Sequence, residues 1–199
     1  MDSALKKQII QNWTDGLPHE QKIIRLFEKV RDIPYADIGS RNASDVFKQN
    51  KGTCSGKHEL LKELYQEIGV QVKNFLIMHR FKYMSVNYSA EIKKILDRSD
   101  ILDPHNFIKI LVNNKWIIVD ATWDKALKKL GFIVNENWDG HSDMKITVVP
   151  TGNIYETTNP ILLKKELISK LSAQVQKDRK LFLKELTKWL DKLRSENKI

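Results

Sequence analysis

Two asparagines, Asn113 and Asn114, separate two β-rich runs, Phe107–Val112 and Lys115–Asp120. Asparagine is one of the few residues besides glycine that tolerate positive φ, so a pair of them between such runs predicts a two-residue hairpin. No other feature limits the fold as tightly, because a hairpin fixes which residues face each other. With these two as the loop, Val112 faces Lys115, Phe107 faces Asp120 and His105 faces Thr122. Residues two apart on a strand share a face, so His105 and Asp120 emerge as diagonal neighbours, with Cα atoms about 7–8 Å apart. An imidazole and a carboxylate leaning together span that gap. A four-residue loop keeps the pairing, whereas a three-residue loop breaks it.

Helices are predicted ahead of this hairpin. Pro18 to Arg31 carries Ile23, Ile24, Phe27 and Val30 at helical spacing and stops before Pro34. Ala43 to Gln49 is a shorter helix that Asn42 or Ser44 can cap. After Gly52-Thr53-Cys54-Ser55-Gly56, a stripe of Leu60, Leu61, Leu64, Tyr65 and Ile68 predicts a third, with Gly69 as its stop. Val70–Met78 reads as a strand, Ser89–Asp97 as a short helix and Ile146–Val149 as a further strand. Helices first and antiparallel strands afterwards give an α+β fold.

Cys54 is the only cysteine, which excludes internal disulfides and zinc sites built from CxxC pairs. A lone intracellular cysteine is ordinarily a small buried hydrophobe. This one stands at the start of a helix, between two glycines that let backbone approach closely. A helix N-terminus and a nearby imidazolium both stabilise a thiolate. A carboxylate behind the imidazole fixes its tautomer and steadies its charge. Cys54, His105 and Asp120 supply nucleophile, acid–base and orienter once each.

These residues also resemble the transglutaminase-like superfamily, relatives of papain. The similarity lies in Gly52-Thr53-Cys54-Ser55-Gly56-Lys57-His58-Glu59-Leu60-Leu61 with Ile68-Gly69-Val70, in His105-Asn106-Phe107-Ile108-Lys109-Ile110, and in Val119-Asp120-Ala121-Thr122-Trp123. Val30-Arg31-Asp32-Ile33-Pro34-Tyr35 is similar to the family's preceding helix and turn. The resemblance implies a papain-like transglutaminase core with Cys54, His105 and Asp120 as a catalytic triad. It implies attack of the thiol on an amide carbonyl of a peptide or protein, without a cofactor, with hydrolysis as the leading outcome. The alternatives are transfer of a glutamine acyl group to an amine, and a non-catalytic binding module using the basic tail. The chain departs from the pattern at Asn106-Phe107, where the family has a small residue and tryptophan, and in the Phe81–Leu102 excursion. Trp13, Gln49 and Asn50 are candidates for an oxyanion-hole side chain, and the Cys54 backbone N–H is the simpler one.

The remaining candidates read as structural. His58 is expected on the surface of the cysteine helix, and His19, His79 and His141 show no ligand spacing. Trp116 and Trp123 read as core aromatics, with a cleft wall as the second reading for Trp123. The chain is expected to form one catalytic domain over residues 1–160 and a basic amphipathic helical tail over 161–199. In that tail Phe182, Leu186, Trp189, Leu190 and Leu193 form one face. The net charge of +9 is concentrated there, so nucleic acid or an anionic surface is a secondary partner class. No apolar run suits a leader or a membrane span, and the expected location is cytoplasmic.

Overall fold

A computed structural model describes all residues, 1–199. Four helices come first: α1 (Ser3–Thr14), α2 (His19–Arg31), α3 (Ala43–Gln49) and α4 (Cys54–Glu67). Strand β1 (Val72–Arg80), helix α5 (Ala90–Arg98) and strands β2 (Leu102–Val112) and β3 (Lys115–Val119) follow. Strand β4 (Pro150–Thr157) and helices α6 (Pro160–Ser169) and α7 (Ala173–Ser195) complete the chain. The fold is α+β, and its sheet runs β3-β2-β1-β4 with every neighbour antiparallel.

The hairpin forms in the predicted register. Val112 pairs with Lys115 and Ile108 with Val119, across Asn113 and Asn114 at φ 48° and 61°. Two consecutive positive φ values define the turn whose twist matches paired strands. The ladder ends at Val119, so Asp120 leaves the sheet just where its side chain turns back toward His105.

Alternation along β2 divides the core between the two faces of the sheet. Ile108 and Ile110, with Ile117 and Val119 of β3, pack against Leu26, Phe27, Leu60, Leu61 and other residues of α1–α4. Phe75, Ile77 and Phe107 belong to a second core with Ile92 and Ile95 of α5 and Phe182, Leu186 and Leu190 of α7. Thus α7 does not lie free: its apolar stripe closes one side of the molecule, with Trp189 packed at the edge.

One expectation about the elements is corrected. Ile146–Val149 is not a strand; β4 begins at Pro150. The Thr147 N–H and hydroxyl donate to Asp120, and its carbonyl accepts from Trp123, so its polar groups are committed to a loop. β4 is a mostly exposed edge strand with little apolar alternation, which is why it escapes a periodicity reading. Helix α1 lies ahead of the helices read from the sequence, and Asp2 caps it by accepting the Leu5 N–H. The 161–199 segment is two helices, separated where Ser172 caps α7.

Candidate active site

Cys54 is the first residue of α4, with Thr53 as its N-cap. The entry of α4 packs directly on α3. A Cβ at Gly56 would meet a Val46 methyl at 2.7 Å, and one at Gly52 would meet another at 3.0 Å. Both glycines therefore let the cysteine turn sit against Val46. The backbone on the other side is fixed where the Gly52 N–H donates to Pro34 O and Gly52 O accepts from the Ala36 N–H. The thiol is buried, and residue Cys54 as a whole keeps 4% of its surface exposed.

His105 lies on β2 and donates from Nε2 to Asp120 Oδ2 at 2.7 Å, which leaves Nδ1 as the ring nitrogen for the Cys54 thiol. Asp120 is heavily supported. Its Oδ1 accepts the Thr122 N–H at 3.2 Å and the Thr122 hydroxyl at 2.7 Å. Its Oδ2 accepts the Thr147 N–H at 2.9 Å and the Thr147 hydroxyl at 3.0 Å. Burial raises the Asp120 carboxyl, yet His105 and these donors hold it well below the usual carboxylate range. Burial lowers the His105 ring, but Asp120 and the cysteine sulfur push it up to about 10. Burial raises the thiol, while the Lys164 ammonium and the His105 ring bring it down to about 6. Thiolate and imidazolium are thus the favoured pair across the neutral range.

The structure bonds His105 to Asp120 and sets the ring near enough to Cys54 for each to shift the other; it corrects the placement of His58. That ring is fully buried, not on the helix surface. Its Nδ1 donates to Cys54 O at 2.8 Å and its Nε2 accepts the Ala121 N–H at 2.9 Å. An acceptor nitrogen facing an amide proton keeps the ring neutral, in line with burial lowering it to about 4. Lys57 is also fully buried, its ammonium donating to the carbonyls of Arg31, Ile33 and Thr122 at 2.8 Å each. Burial brings it down to about 7, against the pull of Asp124 and Asp32. Lys57 and His58 therefore tie the cysteine helix to the Asp120–Thr122 turn. Their adjacency to Cys54 was the only sequence signal of this role.

The other candidates fall elsewhere. Trp123 is core, between Tyr35 and Phe132 with ring centroids 4.3 and 4.4 Å away. Trp116 is half-buried under the Lys73 ammonium. His79 is buried edge-on to His105 at 5.9 Å, whereas His19 and His141 are exposed. Trp13 packs against Phe47 with its ring tilted, and Gln49 and Asn50 lie exposed at the end of α3; none of the three lines the cleft at the cysteine turn.

That cleft, of about 750 Å³, opens beside Ser55 and has a mostly polar wall that includes Ser40, Arg41, Asn159, Lys164 and Arg179. The last two come from the C-terminal helices α6 and α7, to which the sequence reading assigns no part in the site. Lys164 Nζ lies 3.6 Å from Cys54 Sγ and 3.4 Å from Ser55 Oγ. Asp103, two residues before His105, accepts an ion pair from Arg179 and lies 3.8 Å from Lys164 Nζ. No group of three or more His, Cys, Asp or Glu side chains is arranged to hold a metal ion. No helix is long and apolar enough to cross a membrane.

Compared with known proteins, the chain matches no family model and no curated sequence. Among solved structures it is similar to a protein from Cytophaga hutchinsonii named as a candidate cysteine protease, at 17% identity and a TM-score of 0.44. The alignment covers 78% of this chain and 49% of that one, so the chain spans about half its length. A likeness of that extent carries no argument about function.

Proposed function

We propose that this protein is a thiol-dependent acyl-transfer enzyme of the transglutaminase-like, papain-related kind, acting on amide bonds of peptides or proteins, with hydrolysis as its main outcome. The observation that supports it best is the buried His105 ring, bonded to the Asp120 carboxylate and electrostatically coupled to a thiol at a helix N-terminus. Each group has one use in such chemistry. The Cys54 thiolate attacks the carbonyl carbon, forming a C–S bond as the C=O π pair moves onto oxygen. The His105 imidazolium gives its Nδ1 proton to the leaving nitrogen as the C–N bond breaks. Water, deprotonated by the neutral ring, then hydrolyses the acyl-enzyme. Asp120 holds the ring by Nε2 and stabilises its charged form.

The ionisation of the pair supplies the test. Thiolate and imidazolium coexist between about 6, where the thiol titrates, and about 10, where the ring does. Alkylation of Cys54 by iodoacetamide, followed by mass spectrometry, should rise through pH 6. In His105→Ala the rise should move toward the ordinary thiol value, roughly 8.5. Turnover of a peptide amide should require both residues. A parent protein whose thiol titrates near that ordinary value would sink the reading.

A further inference from the structure

The C-terminal helices bring a charge to the thiol that the triad does not account for. Lys164 of α6 reaches Cys54 Sγ at 3.6 Å and Ser55 Oγ at 3.4 Å, and it lies on the wall of the cleft that opens there. The Lys164 side chain is itself only 13% exposed, so it stands at the junction of cleft and nucleophile. Its position is fixed from behind: Asp103 faces it at 3.8 Å and is in turn ion-paired with Arg179 of α7. Burial would raise the Asp103 carboxyl, but Arg179 and Lys164 hold it well below its ordinary range, so it remains an anion.

We propose that Lys164 is a fourth catalytic residue, whose ammonium holds Cys54 as the thiolate and then donates to the oxygen of the tetrahedral adduct. The proposal rests on the acyl-transfer reading above and extends it to a side chain outside the recognised motifs. In the resting protein the cation faces sulfur. When the thiolate attacks an amide, the negative charge leaves sulfur as the C–S bond forms, and it reappears on the carbonyl oxygen. That oxygen develops within about 3 Å of the sulfur, inside the reach of a flexible four-carbon side chain. The ammonium keeps its proton throughout; the leaving nitrogen takes its proton from His105. The Cys54 backbone N–H, the first of α4 and without an intrahelical acceptor, is a second donor close to the sulfur.

Other groups also act on the sulfur. His105 and Asp103 face it from β2, and Tyr35 and Arg41 act on it from the segment between α2 and α3. Arg41 is ion-paired to Asp37 at 2.9 Å, and Asp103 opposes the thiolate. Lys164 is therefore the cation besides His105 that sits directly on the sulfur.

The experiment uses the full chain with Lys164→Met, Lys164→Arg and Lys164→Ala beside the parent, each checked for folding by circular dichroism. Methionine keeps the length and removes the charge. Its iodoacetamide profile should shift upward by about one to three pH units, the range for losing a contacting opposite charge. Its amide turnover should fall by about a hundredfold. Arginine should keep the low midpoint. A low midpoint in the parent that Lys164→Met leaves unmoved overturns the role of Lys164 while leaving the Cys54–His105 pair intact. Faster alkylation at every pH in Lys164→Ala, without a shifted midpoint, also overturns it, because Lys164 would then only cover the sulfur. An ordinary thiol midpoint in the parent overturns the acyl-transfer reading itself.

Discussion

The β2–β3 hairpin and the α6–α7 segment reach the same sulfur by different physical means. The hairpin, whose register is set by a two-residue turn, brings His105 on β2 to Asp120 just past the end of β3; both groups are buried, and Asp120 lies beneath four donors from Thr122 and Thr147. The C-terminal segment brings Lys164 and Arg179 on helices docked by side chains alone, through Phe182, Leu186 and Leu190 and through ion pairs such as Arg194–Asp124. Register along a ladder is a cooperative property, since one slip turns every side chain over. Docking is a sum of separable contacts. On the proposed function, the His105–Asp120 pair is set by the hairpin, and the additional ammonium is brought by the docked helices. The docked half is also the one expected to open first, because local unfolding follows the weaker set of contacts.

The largest effect belongs to the thiol of α4 and the hairpin that faces it. Cys54→Ala should abolish amide turnover, and His105→Ala should lower it on the order of a thousandfold or more, with both proteins folded. Substantial turnover in His105→Ala, measured on a folded sample, would end the claim that the ladder carries the chemistry.

Next comes the docked half. Phe182 is fully buried and packs at a tilt against Phe81 with centroids 4.3 Å apart. Phe182→Ala should cost about 3–5 kcal/mol in chemical denaturation, as expected for an aromatic cavity in a core. The alkylation profile of the folded fraction should keep its midpoint. Stability within a few tenths of the parent would mean that α7 packs on nothing.

A smaller change is expected from Asp120→Asn, which keeps the shape and the imidazole contact but loses the charge. Turnover should fall by roughly ten- to a hundredfold, less than in serine enzymes, because the thiolate pair is already ionised. The sign for pH follows from the ring. Asp120 raises His105 to about 10, so its removal should bring the alkaline limb of the rate profile down toward neutrality. In the parent, that raised value also favours the folded state, fully below the unfolded imidazole value of about 6.5. The contribution is lost as pH rises through about 10. An alkaline limb that stays in place in Asp120→Asn would remove Asp120 as the orienter.

The smallest effect tests the turn. Asn114 holds φ 61°, a conformation that a β-branched side chain resists. Asn114→Val should cost about 1–2 kcal/mol of stability, and Asn114→Gly should cost nothing. Equal melting curves for Val and Gly would show that the hairpin register is held by the strands and not by the turn.

What the sequence by itself determined were the parts written in short-range chemistry. Two asparagines able to take positive φ specify the turn, and the turn specifies that His105 meets Asp120. A glycine-flanked cysteine followed by a helical stripe specifies that the thiol begins a helix. The apolar stripe of Phe182, Leu186 and Leu190 specifies a helix with one buried face, although not the surface that buries it. Only the tertiary structure decided the rest. Lys57 and His58 look like exposed residues of a basic helix until three carbonyls and an amide N–H close around them. Lys164 lies beside Lys165 on a helix of unremarkable pattern, and nothing near it in sequence distinguishes a solvated lysine from one 3.6 Å from a buried sulfur. The physical reason is common to all three. Periodicity and turn chemistry are local properties of the backbone, whereas the environment of a charge is made by whichever distant segments fold around it.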